Sequence, residues 1–183
     1  MRIVVMGTSG SGKTTLAKRL AAALGLPRIE LDAINWRPGW VALDQTDRPE
    51  FVRRVQVAIE GEAWVSDGNY ATVRPLLLAR ATHLVWLDVS RPVVMARVIR
   101  RSFIRAVTGD ELWPGAGNRE QFARWLDKEH PIRWAWDTFH ARRARYEAAF
   151  ADPALAHLSL CRIRSNRDAD ALLERLTREA LPI

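Results

Sequence analysis

Gly7-Thr8-Ser9-Gly10-Ser11-Gly12-Lys13-Thr14 has the residue types and spacing needed to wrap an anion. Its glycines let the backbone curl so that successive N–H groups converge on one point. An apolar run, Arg2–Met6, enters the segment and an amphipathic one, Lys13–Leu24, leaves it. The loop therefore opens a helix, whose free N–H donors and partial positive charge favour the same ligand. The pattern G-x-x-x-x-G-K-[ST] is met at every specified position, which predicts a polyphosphate site. In that chemistry Lys13 bridges the β- and γ-phosphate oxygens and the Thr14 hydroxyl ligates Mg²⁺. Thr15 falls near the α-phosphate. ATP with Mg²⁺ is the expected pair.

Mg²⁺ shares its octahedral shell between phosphates, water and one or two carboxylates. Two apolar runs end in a suitable residue, Ala63–Asp67 and Leu84–Asp88. Asp88, or Ser90, before Pro92 also reads as a helix cap. Arg97, Arg100 and Arg101 stand at i, i+3 and i+4, sharing one helix face, with Arg105 a turn beyond. Such arginines can stabilise charge on a transferring phosphoryl group. Arg142, Arg143 and Arg145 read as a solvated face. Of the eight tryptophans, Trp64 and Trp86 lie in strand runs and read as core, and Trp134 and Trp136 read as packing beside Phe139. His83, His130, His140 and His157 lack metal or triad spacing. Cys161, the single cysteine, lies in an apolar run and reads as a packed thiol.

These side chains need a scaffold, and the apolar patterning supplies one. Strand-length runs at Arg2–Met6, Arg28–Leu31, Ala63–Ser66, His83–Val89 and His157–Ile163 alternate with helical periods. That alternation predicts βα units around a parallel sheet. Helices are expected over Lys13–Leu24, Arg48–Glu60, from Pro92 to about Val107, near 119–128, over 131–150 and around Asp168–Glu179. Thr108–Asn118 carries Gly109-Asp110, Pro114-Gly115 and Gly117-Asn118 and reads as a loop. The 183 residues make one domain the expectation. No apolar run approaches the ~20 residues of a membrane span, and a cytoplasmic location is expected. The net charge of +7 is concentrated: residues 91–145 hold twelve Arg/Lys against six Asp/Glu. A local anion site explains that excess, and so does a nucleic-acid face.

The chain resembles the adenylate-kinase-like P-loop ATPases often labelled DNA topology modulation proteins, within the nucleoside-monophosphate and shikimate kinase group. The resemblance runs through the P-loop, Glu30-Leu31-Asp32 with Trp36, and Trp64-Val65-Ser66-Asp67-Gly68-Asn69-Tyr70. It continues through Trp86-Leu87-Asp88-Val89, the Arg-rich helix from Arg91-Pro92, and Arg162-Ile163-Arg164-Ser165. It implies a three-layer α/β P-loop fold with a five-stranded parallel sheet of order 2-3-1-4-5. A helical lid, about residues 100–125, would lie between strands 4 and 5. Asp67-Gly68 is similar to the Asp-Gly of adenylate kinases, which favours Asp67 as the metal-linked carboxylate. Gly68 would admit a ligand closely.

The resemblance further implies that Asp32 sits at the acceptor edge, where it would orient or deprotonate a hydroxyl. The alternative is an Asx-turn opening the loop Ala33–Gly39. Trp36 and Trp40 would wall that pocket. Arg97, Arg100 and Arg101 would be carried by the lid, with Arg119 and Arg124 arriving from its far side. Arg164 would border the adenine, while Ser165 or Asn166 caps the next helix. Asn69-Tyr70 replaces the arginine that follows Asp-Gly in adenylate kinases, with Arg74 close by, which argues against AMP as acceptor. The expected activity is transfer of the γ-phosphoryl group of Mg-ATP to a nucleotide or small molecule. An ATP-dependent nucleic-acid-binding or regulatory protein affecting DNA topology is the alternative.

Overall fold

The computed structural model describes residues 1–113, 117–128 and 130–180. Five strands form a parallel sheet: β1 (Arg2–Gly7), β2 (Arg28–Glu30), β5 (Trp64–Asp67), β6 (His83–Leu87) and β7 (Ser159–Ile163). Their spatial order is β2-β5-β1-β6-β7, the expected 2-3-1-4-5. A two-stranded hairpin, β3 (Trp36–Arg37) with β4 (Val41–Ala42), stands apart from it.

Side chains on a strand alternate between faces, so a sheet covered on both sides needs apolar residues at nearly every position. In β1, Val4 and Met6 join Trp64, Leu84 and Trp86 in one core with Phe51, Val55 and Tyr146. Ile3 and Val5 face the other way, joining Leu16, Leu20, Val85 and Leu176. The first core packs under α4 (Arg48–Ala58), α5 (Arg74–Arg80) and α7 (Pro131–Phe150). The second lies under α1 (Lys13–Leu24) and α8 (Asn166–Ala180). This is a three-layer α/β P-loop architecture.

Most elements fall within a few residues of their expected limits, and the exceptions are instructive. The helix expected near 119–128 is a 3₁₀ turn at Phe122–Arg124. Phe122, Trp125 and Leu126 mimic a helical period, but Leu126 is 85% exposed, so no core holds that face. The expected loop after Asp32 is instead α2 (Leu31–Asn35), followed by the β3–β4 hairpin and α3 (Leu43–Thr46). The helix from Arg91, α6, runs to Thr108, so the start of the expected 100–125 lid is a continuation of α6. The Pro114-Gly115 pair of the expected loop lies outside the described residues.

Trp64 and Trp86 are buried as expected. Trp134 and Trp136 are not: 41% and 54% exposed, they flank the Ala135–Phe139–Tyr146 face that α7 turns inward. Each tryptophan ring instead carries an arginine, Arg142 over Trp134 and Arg91 over Trp136. Cys161 is buried and accepts a hydrogen bond from Arg175. Among the described residues, no helix is long and apolar enough to cross a membrane.

Candidate active site

The loop between β1 and α1 begins at the sheet's C-terminal edge, where the parallel strands deliver their last residues. Gly10 has φ 84°, and a Cβ there would lie 2.7 Å from the Val94 carbonyl oxygen. The loop is thus pressed against α6, and only glycine fits. Ser11 Oγ is buried without a hydrogen-bond partner among the described residues. Lys13 Nζ donates to the Thr8 carbonyl at 3.1 Å, so the ammonium is folded back over the loop. Burial lowers its pKa to about 8, with the Asp32 carboxylate opposing the shift and Arg101 adding to it.

Thr14 and Asp67 meet directly. Val5 of β1 pairs with Asp67 of β5, which brings that carboxylate beside the loop. Thr14 Oγ1 donates to Asp67 Oδ2 at 2.7 Å, and Arg28 Nη1 donates to Oδ1 at 3.0 Å. Asp67 is 4% exposed. Its pKa is raised because burial outweighs the bonds from Thr14 and Arg28. Gly68 also has a packing reason to be glycine: at φ 138°, a Cβ would lie 2.6 Å from Leu31 Cβ. The next residue, Asn69, donates its amide to the Gly7 carbonyl and so braces the loop's entry.

On the other side of the loop stands Asp32. It lies in the first turn of α2, not in an open loop, and accepts a 2.7 Å bond from the Tyr70 hydroxyl. Burial and the adjoining carboxylate push the Tyr70 pKa upward, so the phenol remains a donor. One Asp32 oxygen is engaged, and among the described residues Oδ2 is left for another donor. The Asp32 and Asp67 carboxylates both act on Lys13, opposing the effect of its burial.

The arginine face of α6 divides. Arg97 Nη1 donates to the Ser11 carbonyl at 3.1 Å, and Arg101 Nη2 donates to Ser9 Oγ at 3.2 Å. Burial lowers the Arg101 pKa to about 10. Arg100, between them, points outward and is exposed. Beyond the helix, Arg124 lies over Trp40 and pairs with Asp127 rather than turning to the loop. Arg119 sits beside Gly109 in a bridge with Glu111.

A cleft of about 1030 Å³ opens on the Thr15 side of the loop, lined by Gly12, Thr15, Arg97, Arg143, Arg164 and Ser165, among others. Asp88 is neither cap nor free ligand there. It lies 3.8 Å from Arg164 and accepts from Arg143 and Arg162, and the latter two hold its carboxyl below the usual range against the effect of burial. Ser90 makes no side-chain cap on α6. Arg143 stays on the exposed face expected for it, 44% accessible, while its guanidinium reaches Asp88. Ser165 does cap α8, accepting from Asp168 N while Asp168 accepts from Ser165 N, a reciprocal capping box.

Arg28, Asn69 and Tyr70 escaped the residue-level reading. Arg28 and Glu30 are polar positions in a short, mostly covered strand, which was the available signal. Taken together, the loop offers converging donors, one lysine, two arginines and a hydroxyl–carboxylate pair. Among the described residues, no group of three His, Cys, Asp or Glu could hold a metal by itself. The donor set suits a polyphosphate carrying a hard divalent cation, not a metal caged by protein alone.

No family model matches the chain. A curated relative, the shikimate kinase of Rhodococcus jostii (strain RHA1), is 24% identical over 146 residues, 72% of this chain and 81% of that protein. The solved shikimate kinase from Acinetobacter baumannii in complex with shikimate has TM-score 0.57 and 18% identity, covering 97% of this chain and 91% of that one. The shikimate kinase from Bacteroides thetaiotaomicron has TM-score 0.54 and 19% identity over 98% and 97%. A sugar kinase from Janibacter sp. HTCC2649 has TM-score 0.52 and 19% identity over 97% and 92%. None of these four proteins is described by an action on DNA topology. At such identities the likeness is one of fold, and this chain has the P-loop kinase-like fold of shikimate and sugar kinases.

Proposed function

We propose that the protein transfers the γ-phosphoryl group of Mg-ATP to a hydroxyl of a small, negatively charged acceptor. The observation that carries this reading is the Lys13 ammonium, which lies at the P-loop and within the field of the Asp32 carboxylate. Phosphate-binding and hydroxyl-orienting groups therefore share one electrostatic neighbourhood, as in-line transfer requires.

The roles follow from the contacts. The Gly7–Thr14 backbone and Lys13 bind the phosphates, with Thr15 and Arg164 toward the nucleoside. Thr14 Oγ1 and Asp67 would hold Mg²⁺, which supplies charge neutralisation on the phosphate oxygens. The unpartnered Ser11 Oγ and the glycine cradle fit such a ligand. Arg97 and Arg101, already on the loop, stabilise charge on the transferring group. Arg100 takes no part in that role. Asp32, fixed by Tyr70, orients the acceptor hydroxyl with its remaining oxygen and receives the proton. The segment after α6 serves as the lid of a single domain, excluding water.

An anionic acceptor follows from Arg74. It is half-buried beside Tyr70, and Arg142 and Arg145 lie close enough to lower its pKa further. Among the described residues no carboxylate pairs with any of the three arginines. Arg142 also acts on Lys13, which links this positive cluster to the phosphate loop. A carboxylate or phosphate on the acceptor would satisfy it.

The nucleic-acid reading retains one supporting observation, the exposed Arg100 and Arg145 on α6 and α7. Arg101 is drawn in to Ser9, and Arg97 and Arg143, though exposed, are engaged by the Ser11 carbonyl and Asp88. Incubating the protein with Mg-ATP and matched acceptors, anionic and neutral, distinguishes the two. Phosphorylated product from an anionic hydroxyl compound, absent in Lys13→Ala, supports the kinase. Silence across the panel, with salt-sensitive DNA binding that survives Lys13→Ala, supports the alternative.

A further inference from the structure

Asn118 belongs to none of the roles above, yet it is among the most enclosed polar residues, 2% exposed. Its Oδ1 accepts from the Trp40 backbone N–H at 3.0 Å, and its Nδ2 donates to the Arg37 carbonyl at 3.1 Å. A side-chain amide thus pairs with the hairpin loop much as a neighbouring strand's backbone would, from about eighty positions away. Trp113 joins from the same segment. Its ring stacks on Trp36 at 6.0 Å and 18°, and meets Trp40 edge-on at 6.1 Å. Trp36 and Trp40 touch each other at 5.7 Å, and the Arg124 guanidinium lies 5.0 Å from the Trp40 ring centre.

Trp40 itself has φ 62°, the one described non-glycine residue in the left-handed region. That conformation is unfavourable for a residue with a side chain. It persists where surrounding contacts over-determine it, and here those contacts come from Trp113, Asn118 and Arg124. The far end of the same segment is anchored too. Buried Glu120 bonds His130 Nε2 at the start of α7, and Trp125 stacks on the imidazole.

We infer that Asn118 is a positioning residue that, with Trp113, fastens the lid to the Trp36–Trp40 loop, so that both close over the acceptor as one body. This rests on the kinase reading of the same site. The connection to the nucleotide is physical. Arg97 and Arg101 hold α6 to Ser11 and Ser9, and α6 leads into the segment bearing Trp113 and Asn118. Filling the P-loop therefore tightens a loop that touches no nucleotide.

Hydrogen exchange on the full chain tests this, using wild type, Asn118→Ala and Asn118→Asp, each with and without Mg²⁺ and a non-hydrolysable ATP analogue. In wild type the analogue slows exchange at residues 7–15, 117–125 and 36–42. In Asn118→Ala the P-loop protection stays, the protection at 36–42 is lost, and ligand-free exchange at 36–42 rises about tenfold, the effect of losing two buried hydrogen bonds. Asn118→Asp, which keeps the acceptor but not the donor, falls between. With an acceptor in hand, Asn118→Ala raises its KM while the KM for ATP holds. The inference is overturned if 36–42 exchanges alike in wild type and Asn118→Ala, or if the analogue protects the wild-type P-loop without affecting 36–42. Should Asn118→Ala not fold, Trp113→Ala replaces it, with the same outcomes deciding. Absence of any wild-type P-loop protection would contradict the nucleotide site instead, while the ligand-free comparison still decides whether the fastening exists.

Discussion

The two ends of the site are built in different ways. The proposed triphosphate end is made of backbone: eight consecutive residues, one strand before them and one helix after, with Lys13 and Thr14 in the same stretch. The proposed acceptor end is made of side chains from distant parts of the chain. Tyr70 reaches Asp32 across 38 positions and Asn118 reaches Trp40 across 78. A backbone cradle is fixed by local conformation, whereas an assembled pocket depends on every contributor folding correctly. Damage at the first end should remove binding itself, and damage at the second should alter what is bound and how fast it reacts.

Lys13→Ala should produce the largest effect. Loss of a charge aimed at the transferring group costs on the order of 10²–10³ in rate, and the ATP KM should rise with it. A variant that keeps near-wild-type transfer would mean that the loop does not act on the γ-phosphate. At the acceptor end, Arg74→Ala should raise the KM for an anionic acceptor about tenfold or more, the scale of one charge-assisted hydrogen bond. A neutral analogue should be unaffected. Equal loss for both would show that Arg74 only supports the fold near Tyr70.

Lys13 also sets a pH signature. Its folded pKa is about 8 against an ordinary value of 10.5, so between those limits the unfolded chain holds the extra proton. Stability of the ligand-free protein should therefore rise with pH across that window, by at most about 3 kcal/mol. Lys13→Met should lose that rise, which denaturant melts at pH 7 and 10 would reveal. Over the same window the ATP KM should climb, because the neutral amine no longer attracts phosphate. The smallest effect belongs to Arg100→Ala. Exposed and turned from the loop, Arg100 should matter less than about twofold in transfer rate, within the usual reach of a surface change. A large loss would restore the full arginine face expected from its spacing.

This contrast also explains what the sequence could reveal. The P-loop, the five strands and α1 announce themselves through local pattern, and α7 does too. The sheet order came with the family resemblance. Asp67 ends an apolar strand, and its resemblance to the Asp-Gly of adenylate kinases sets it apart from Asp88. Its bond to Thr14 needed only the pairing of β1 with β5. Asp88 ends a strand equally well, and nothing local shows that Arg143 and Arg162 occupy it. Arg97, Arg100 and Arg101 share a face by spacing, but the helix's rotation against the loop selects two of them. Tyr70 and Asn118 carry no periodic signal because their partners lie far along the chain. The segment 119–128 erred the other way, since its apolar spacing suited a helix that no core supports.

The most direct test separates the two ends in one variant, Asp32→Asn. Calorimetric binding of Mg-ATP and the single-turnover transfer rate would be measured beside wild type, using the acceptor found in the panel. Nucleotide affinity should stay within about twofold while transfer falls ~10²-fold or more, the range for a positioned acid–base group. Equal losses in both, or transfer left at the wild-type rate, would contradict Asp32 as the residue that presents the acceptor to the P-loop.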